Sequence, residues 1–422
     1  MQNKIIDYFL EITKIPHCSK NTDKLLEFIK EFAINRGYIV EIDKAKNILV
    51  KKGKPKLALQ AHYDMVCIGK APEIETYIKD GWMYAKNSSL GADNGIAIAM
   101  MMVLIDRNYE LEFLFTSDEE IGLIGASNLE LILDSKYMLN IDFEDEAEVC
   151  IGCAGGIDLL AFGELEVANR LDFIYEVSVS GLVGGHSGID IDKDIPNAIK
   201  VLGNFLANRD IVLNSFYGGE RRNSIPTSAK AIISSTEQLK SDGVINIKSI
   251  KSNFDFYNGD KFIKLINSFP HGVDRYNKKL NIPDTSINLA IVKMENAKVF
   301  IETSARALSL DGLSDICNKN IKLFKEYGFE VEEKDKYPAW KPEINDFSKI
   351  VNTSMLNIFG KSEYKAIHAG LECGVISKKY PNIKIASIGP NIRYPHSTRE
   401  KIEIESIIKT FKVLETVINK IK

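Results

Sequence analysis

The chain has 422 residues, 45% of them hydrophobic and 27% charged, with a formal net charge of −4. This length exceeds what a single core organises, so two domains are expected. The slight acidity excludes an extended phosphate-binding surface and leaves no expected nucleic-acid partner.

The first ten residues alternate apolar side chains with Lys and Asp, which makes no signal-peptide core, and no stretch reaches the roughly 18 apolar residues of a membrane span. No membrane partner is therefore expected, and the expected location is cytoplasmic. The six cysteines, at 18, 67, 150, 153, 317 and 373, read as reduced thiols rather than a disulfide framework. Residues 21–35 gather Leu25, Leu26, Phe28, Ile29, Phe32 and Ala33 on one face, with Asn21, Thr22 and Asp23 as caps, which predicts an amphipathic helix. Residues 38–42, 47–51 and 57–61 read as strands, the last running into His62-Tyr63-Asp64. Two positions apart at a strand end, His62 and Asp64 share a face. The Asp can then hold one imidazole nitrogen and leave the other to a metal, or the two form a plain hydrogen-bonded pair. After a Gly-Trp turn within 77–86, Ser89-Leu-Gly-Ala-Asp93-Asn94-Gly95 leads into an apolar helix, 96–105, where Asp93 reads as an N-terminal cap.

Residues 113–115 form a short buried strand that soon runs into Asp118, Glu119 and Glu120, three consecutive carboxylates that a packed core cannot leave unpaired. Neighbouring carboxylates there point in different directions, so one can bind a metal while the other moves a proton; a solvated acidic turn is the alternative. Residues 137–141 are a further buried strand, and it ends at Asp142. In an open α/β sheet, ligands collect outside such carboxyl ends. Cys150-Ile-Gly-Cys153 has no second pair to complete a metal site and reads as a strand and turn.

From about residue 159 the pattern becomes α+β, with alternating strands at 171–180, 227–235, 286–293 and 297–303 and helices at 198–207 and 313–327. Gly181-Leu-Val-Gly-Gly-His186-Ser187-Gly188 sets a histidine among four glycines, and Arg222 and Asn223 follow. Residues 336–342 read as a linker. Helix 347–359, His368-Ala-Gly-Leu-Glu372-Cys373-Gly374, strand 384–388, Tyr394-Pro395-His396-Ser397 and helix 402–421 complete the chain. His17 and His271 read as surface or turn histidines.

Taken together, His62-x-Asp64, Gly91-Ala-Asp93-Asn94-Gly95, Asp118-Glu119-Glu120-x-Gly122, Asp142, Gly185-His186-Ser187 and His396-Ser397 resemble, in order and spacing, the M20 family of two-metal peptidases. Longer runs, among them Asp142 through Cys153-Ala-Gly-Gly and Ile367-His-Ala-Gly-Leu-Glu-Cys-Gly374, look like the family's aminoacyl-histidine dipeptidase branch. The resemblance implies an α/β fold: a catalytic domain with a mixed central sheet flanked by helices, residues 1–158 and 338–422, and an inserted α+β lid domain, residues 159–337. It implies His62 with Asp142 on one divalent ion and Glu120 with His396 on a second, with Asp93 bridging and a cis peptide after it. Asp64 would orient His62, and Glu119 would be the general base. Five N/O ligands without cysteine suit Zn2+, with Mn2+ or Co2+ able to substitute. Such a pair activates a bridging water, from which a Glu that is not itself a ligand accepts a proton.

His186 resembles the family's oxyanion-stabilising histidine, in its own subunit or a partner's, brought in by domain closure. Arg222 and Asn223 match a substrate-binding motif. Many members carry Arg-Gly-Gly-Thr-Asp where this chain has His368-Ala-Gly-Leu-Glu372, which assigns a substrate terminus to His368 or Glu372. A homodimer and a small-peptide substrate are likewise implied. The expected activity is hydrolysis of unblocked dipeptides of the Xaa-His or β-alanyl-histidine type. A tripeptidase, carboxypeptidase or deacylase is the alternative within the family, and a catalytically silent metal- or peptide-binding protein the alternative outside it.

Overall fold

The runs Leu57–His62 and Glu112–Thr116 are buried at every residue, which requires cover on both faces of their sheet. In the computed structural model, which describes residues 2–251 and 253–421, they lie side by side. Residues 1 and 422, the outer bounds of the expected catalytic segments, lie outside the described residues. The sheet has eight strands in the order Ile39–Ile42, Ile48–Lys51, Glu112–Thr116, Leu57–His62, Tyr137–Asn140, Lys384–Ser387, Glu148–Cys153 and Glu363–Ile367. Four central strands, from Glu112–Thr116 to Lys384–Ser387, run parallel; they are flanked by antiparallel Ile48–Lys51 and Glu148–Cys153. Parallel strands finish on one side, so their last residues meet however far apart they stand in sequence.

The helix Ala92–Asp106 is buried from Asn94 to Ile105, apolar all round as a fully enclosed helix must be. The N-terminal residues, read from sequence only as no signal core, form the helix Gln2–Ile12. Its Phe9 ring would come within 3.1 Å of a Cβ placed at Gly95, so glycine lets the two helices close on each other. Helices Asp23–Ile34, Asp346–Phe359 and Ile404–Ile421 complete this core around Phe113, Phe115, Phe347 and Phe411. A small antiparallel sheet joins Ile392–Arg393, Lys401–Glu403, Trp82–Ala85 and Thr76–Lys79.

The chain divides into two compact units, Met1–Cys153 with Trp340–Ala366 and Leu371–Lys422, and Ala154–Ala339 with Ile367–Gly370. The second unit is built on an eleven-stranded sheet whose long central pairs, such as Ile282–Glu295 with Lys298–Ala307, are antiparallel. Helices Ala198–Leu206 and Leu310–Glu326 bury Leu202, Leu206, Leu313 and Phe324 in a core of its own.

Several expectations are corrected. The strand Gly155–Glu164 runs unbroken across position 158, so the first crossing falls after Cys153. Residues 336–342 are not a free linker: Tyr337 ends the strand Glu330–Tyr337, and buried Trp340 exchanges backbone hydrogen bonds with Cys153. The last helix starts at Ile404 because Lys401–Glu403 is taken up by the small sheet. Cys18 and Cys67 form a disulfide, whereas Cys150, Cys153, Cys317 and Cys373 are free, buried thiols. The disulfide joins segments already side by side, since Cys18 pairs with Met65 through the backbone.

Candidate metal centre

His62 closes the strand Leu57–His62, and its side chain is buried. Its Nδ1 lies 3.0 Å from the Asp64 carbonyl oxygen and 3.5 Å from Asp64 Oδ1. Its Nε2 faces Asp93 Oδ1 at 3.0 Å and Asp142 Oδ1 at 3.3 Å. The other Asp93 oxygen, Oδ2, faces His396 Nε2 at 3.2 Å, and Glu120 Oε2 lies 2.8 Å from that nitrogen. One carboxylate thus stands between two imidazoles, each with a further carboxylate beside it. The peptide Asp93–Asn94 is cis, and the Asn94 side chain donates to Asp142 Oδ1 at 2.7 Å.

Asp64 is the organiser of the glutamate turn. Its Oδ1 accepts from the Glu119 N–H at 2.9 Å, its Oδ2 from the Glu120 N–H at 3.3 Å, and Oδ2 also accepts from Ser19 Oγ at 2.7 Å. A single buried carboxylate therefore fixes both glutamates and the imidazole. Ser19 was not foreseen in the sequence, because nothing near it in the chain marks its contact with Asp64.

Charge in this cluster is unbalanced. Burial pushes Glu120 up to about 7, with Asp93 adding repulsion. Burial, followed by the charge of Glu120, holds Glu119 well above the usual carboxylate range. Burial also raises Asp142. For His62 burial works downward, but the carboxylates of Asp142, Asp64 and Asp93 outweigh it and hold the ring well above its ordinary value. Five carboxylates, of Asp64, Asp93, Glu119, Glu120 and Asp142, crowd two imidazoles, and Glu120 Oε1 is buried with no hydrogen-bond partner among the described residues. Cations would remove both defects.

The donor atoms are already grouped. One atom each from His62, Asp93 and Asp142, and one each from Asp93, Glu120 and His396, lie within 4.8 Å of one another. A third such group, His62, Glu119 and Glu120, brings Glu119 within ligand reach as well. An all-N/O donor set of this kind fits borderline divalent ions.

The remaining candidates lie mostly in the second unit. His186 pairs through a two-stranded ladder with Ser224, and its Nδ1 accepts from the N–H groups of Gly188 and Ile189, each at 3.2 Å. Accepting there leaves the ring proton on Nε2. Arg222 is engaged by Asp158 at 3.0 Å and by Asp335, so its charge is already matched. Asn223 accepts from the Ser187 N–H at 2.9 Å through its carbonyl oxygen. His368, expected in the last catalytic segment, belongs to the second unit, buried with Nε2 2.7 Å from Ser286 Oγ. Burial, then the Arg306 charge, brings it down to about 3.

Glu372, in the first unit, is fully buried. Its Oε2 accepts from Gln60 Nε2 at 2.6 Å and Thr116 Oγ1 at 2.5 Å, tying two parallel strands together beneath the cluster. These contacts describe a structural tie rather than the expected substrate contact. His17 is buried, not a surface residue, with Nδ1 2.6 Å from the Ile15 carbonyl oxygen; His271 is half-buried against Asn197 and Leu289.

Arg306 was missed. It is 7% exposed, donates to Tyr337 Oη at 2.8 Å and leaves Nε without a partner among the described residues. A Cβ at Gly188 would sit 3.4 Å from its guanidinium carbon and 3.2 Å from His186 Cε1, so the two side chains flank one glycine. An arginine set between two alanines, Ala305 and Ala307, at the end of the strand Lys298–Ala307 was the available signal.

Residues 58–420 match the family model described as peptidase family M20/M25/M40. The chain is 35% identical to cytosol non-specific dipeptidase of Escherichia coli (strain K12), over 95% of this chain and 94% of that protein. Its fold is similar to the crystal structure of aminoacylhistidine dipeptidase from Vibrio alginolyticus, with a TM-score of 0.83, 31% identity and coverage of 99% and 96%. It is also similar to a tripeptidase from Staphylococcus aureus, with a TM-score of 0.62, 17% identity and coverage of 100% and 98%, a likeness of fold alone.

Proposed function

Because the chain belongs to the peptidase family M20/M25/M40, we propose that it is a metal-dependent dipeptidase whose two ions sit on His62–Asp93–Asp142 and on Asp93–Glu120–His396. The observation that carries this reading is the bridging placement of Asp93, with Oδ1 3.0 Å from one imidazole and Oδ2 3.2 Å from the other. Zn2+ is the first choice, with Mn2+ or Co2+ able to replace it. When bound, two such ions supply Lewis acidity toward the peptide carbonyl and lower the pKa of water.

The chain's own residues do the rest. Asp64 keeps Nδ1 of His62 occupied so that Nε2 faces the ligand position, and it fixes the glutamate turn through the two N–H groups. Glu120 turns toward His396 and serves as a ligand. Glu119, lifted by burial, takes the proton from the attacking water and returns it to the departing amine. His186, with its proton on Nε2, is the proposed donor to the oxyanion. Arg306, beside His186, is the proposed grip on a substrate carboxylate, in preference to Arg222, which is already paired. A homodimer and a cytoplasmic location belong to the same reading. No helix among the described residues is long and apolar enough to cross a membrane.

The test is metal stoichiometry measured together with hydrolysis of a panel: β-alanyl-histidine, other Xaa-His dipeptides, unrelated dipeptides, tripeptides and N-acylated amino acids. Two ions per chain and preferential cleavage of unblocked dipeptides are expected. Rapid cleavage of N-acylated amino acids with every dipeptide untouched would replace the dipeptidase by a deacylase.

A further inference from the structure

Four residues beyond His396, Glu400 is 2% exposed and has no place in the ligand set. Its carboxylate is turned away from the cluster and onto backbone. Oε2 accepts from the N–H groups of Leu90 at 2.7 Å and Gly91 at 3.1 Å, and Oε1 from those of Ala92 at 2.8 Å and Asp93 at 3.3 Å. Leu90 precedes the N-cap Gly91, and Asp93 and Asn94 have non-helical backbone angles, so these donors belong to the turn that leads into the regular part of the helix Ala92–Asp106. No side chain of its own N-cap, Gly91, supplies them. A carboxylate some 300 positions away does so instead, and the charge suits that end of the helix.

The same residue is fixed at its backbone. Its N–H bonds to the Ser397 carbonyl oxygen, and the next three residues, Lys401–Glu403, pair with Trp82–Ala85. The turn that carries His396 is thereby pinned at one end to a sheet and, through Glu400, to the loop that carries Asp93. His396 itself has a half-exposed side chain, so little packing holds it.

We propose that Glu400 is a positioning residue for the ion shared by Asp93, Glu120 and His396: by gripping residues 90–93 from the turn that bears His396, it sets the separation between Asp93 Oδ2 and His396 Nε2. The inference rests on the two-ion reading above. It distinguishes the two ions, because one draws two of its three ligands from the loops that Glu400 joins, whereas the other draws His62 and Asp142 from the ends of sheet strands. A residue that merely caps the helix would affect stability without distinguishing them.

The test is titration of Co2+ into the chelator-stripped chain, followed by calorimetry and by the visible absorption of each bound ion, for the wild type and Glu400→Gln. The substituted amide replaces one acceptor oxygen by an N–H2 group facing donors. The wild type is expected to take two ions. In the variant the first ion should bind within about threefold of wild type while the second is weakened about 10- to 100-fold, with its absorption altered. Wild-type affinity for both ions, even with a lowered melting temperature of the stripped chain, would overturn the inference. Equal weakening of both would overturn it too. If Glu400→Gln does not fold, Glu400→Asp, which keeps the charge at shorter reach, is judged by the same two criteria. A wild-type chain that takes one ion would overturn the two-ion reading itself, whereas two undisturbed ions in the variant overturn only the role of Glu400.

Discussion

Glu119 and Glu120 are adjacent in sequence and differ in what they face. Glu120 is 2.8 Å from His396, whereas Glu119 is raised chiefly by burial and by the charge of Glu120. Glu119→Ala is therefore expected to keep both ions and lose about 10²- to 10⁴-fold in kcat. His396→Ala should lose one ion, read by metal analysis of the purified variants. Equal metal loss in both would mean that the two roles are exchanged. Glu372 gives a prediction in pH. Burial raises it to about 8 from an ordinary 4.5, so between those values the folded chain holds a proton that the unfolded chain has released. Its contribution is full below about pH 4.5 and is lost as pH rises toward 8. In the metal-free chain, Glu372→Gln should flatten the fall in melting temperature between pH 5 and pH 8; an unchanged slope would refute the protonated Glu372. The residues brought together at Asp93 were legible because each ends a strand or follows a motif of its own. Ser19, Arg306 and Glu400 were not, because their roles arise only from which distant backbone or side chain the folded chain sets beside them.

The four parallel strands were readable as elements because apolar runs such as 113–115 and 137–141 stop abruptly at charge. The strands Gly155–Glu164 and Ile211–Gly218 gave no such signal: the first carries Asp158 and three glycines, and the second has Asn214 and Ser215 in its middle. Their partners on either side, rather than their own pattern, keep them extended. The cysteines were misread for a related reason, since a pairing across 49 positions has no local signature. Closing a loop of that size contributes about 2–4 kcal/mol through the unfolded chain. The non-reduced protein should show four titratable thiols when denatured and six after reduction, and Cys67→Ser should lower the melting temperature. Six thiols without reductant would show that the bond does not form. The pair also flanks Ser19 and Asp64, so the same variant should weaken metal binding more than a thiol change at Cys317, in the other unit, does.

Two separate cores organise the whole molecule, one around Phe113 and Phe411 and one around Leu202 and Phe324. All five proposed ligands belong to the first. Scanning calorimetry should accordingly resolve two transitions, and removal of metal should lower one of them while leaving the other in place. A single transition that moves as a whole would mean that the units unfold together. The division into an α/β unit and an interrupting α+β unit was visible in the change of periodicity near residue 159, whereas its boundaries depended on pairings such as Cys153 with Trp340 that no composition reveals. The position of Lys384–Ser387, between Tyr137–Asn140 and Glu148–Cys153, has a consequence during synthesis. When residues up to Cys153 have left the ribosome, an inner place in the sheet is vacant, and it stays so until Lys384–Ser387 has been translated. The nascent chain must therefore wait with an open apolar strand edge, the condition under which chaperones are recruited and premature truncation leads to aggregation rather than to a smaller enzyme.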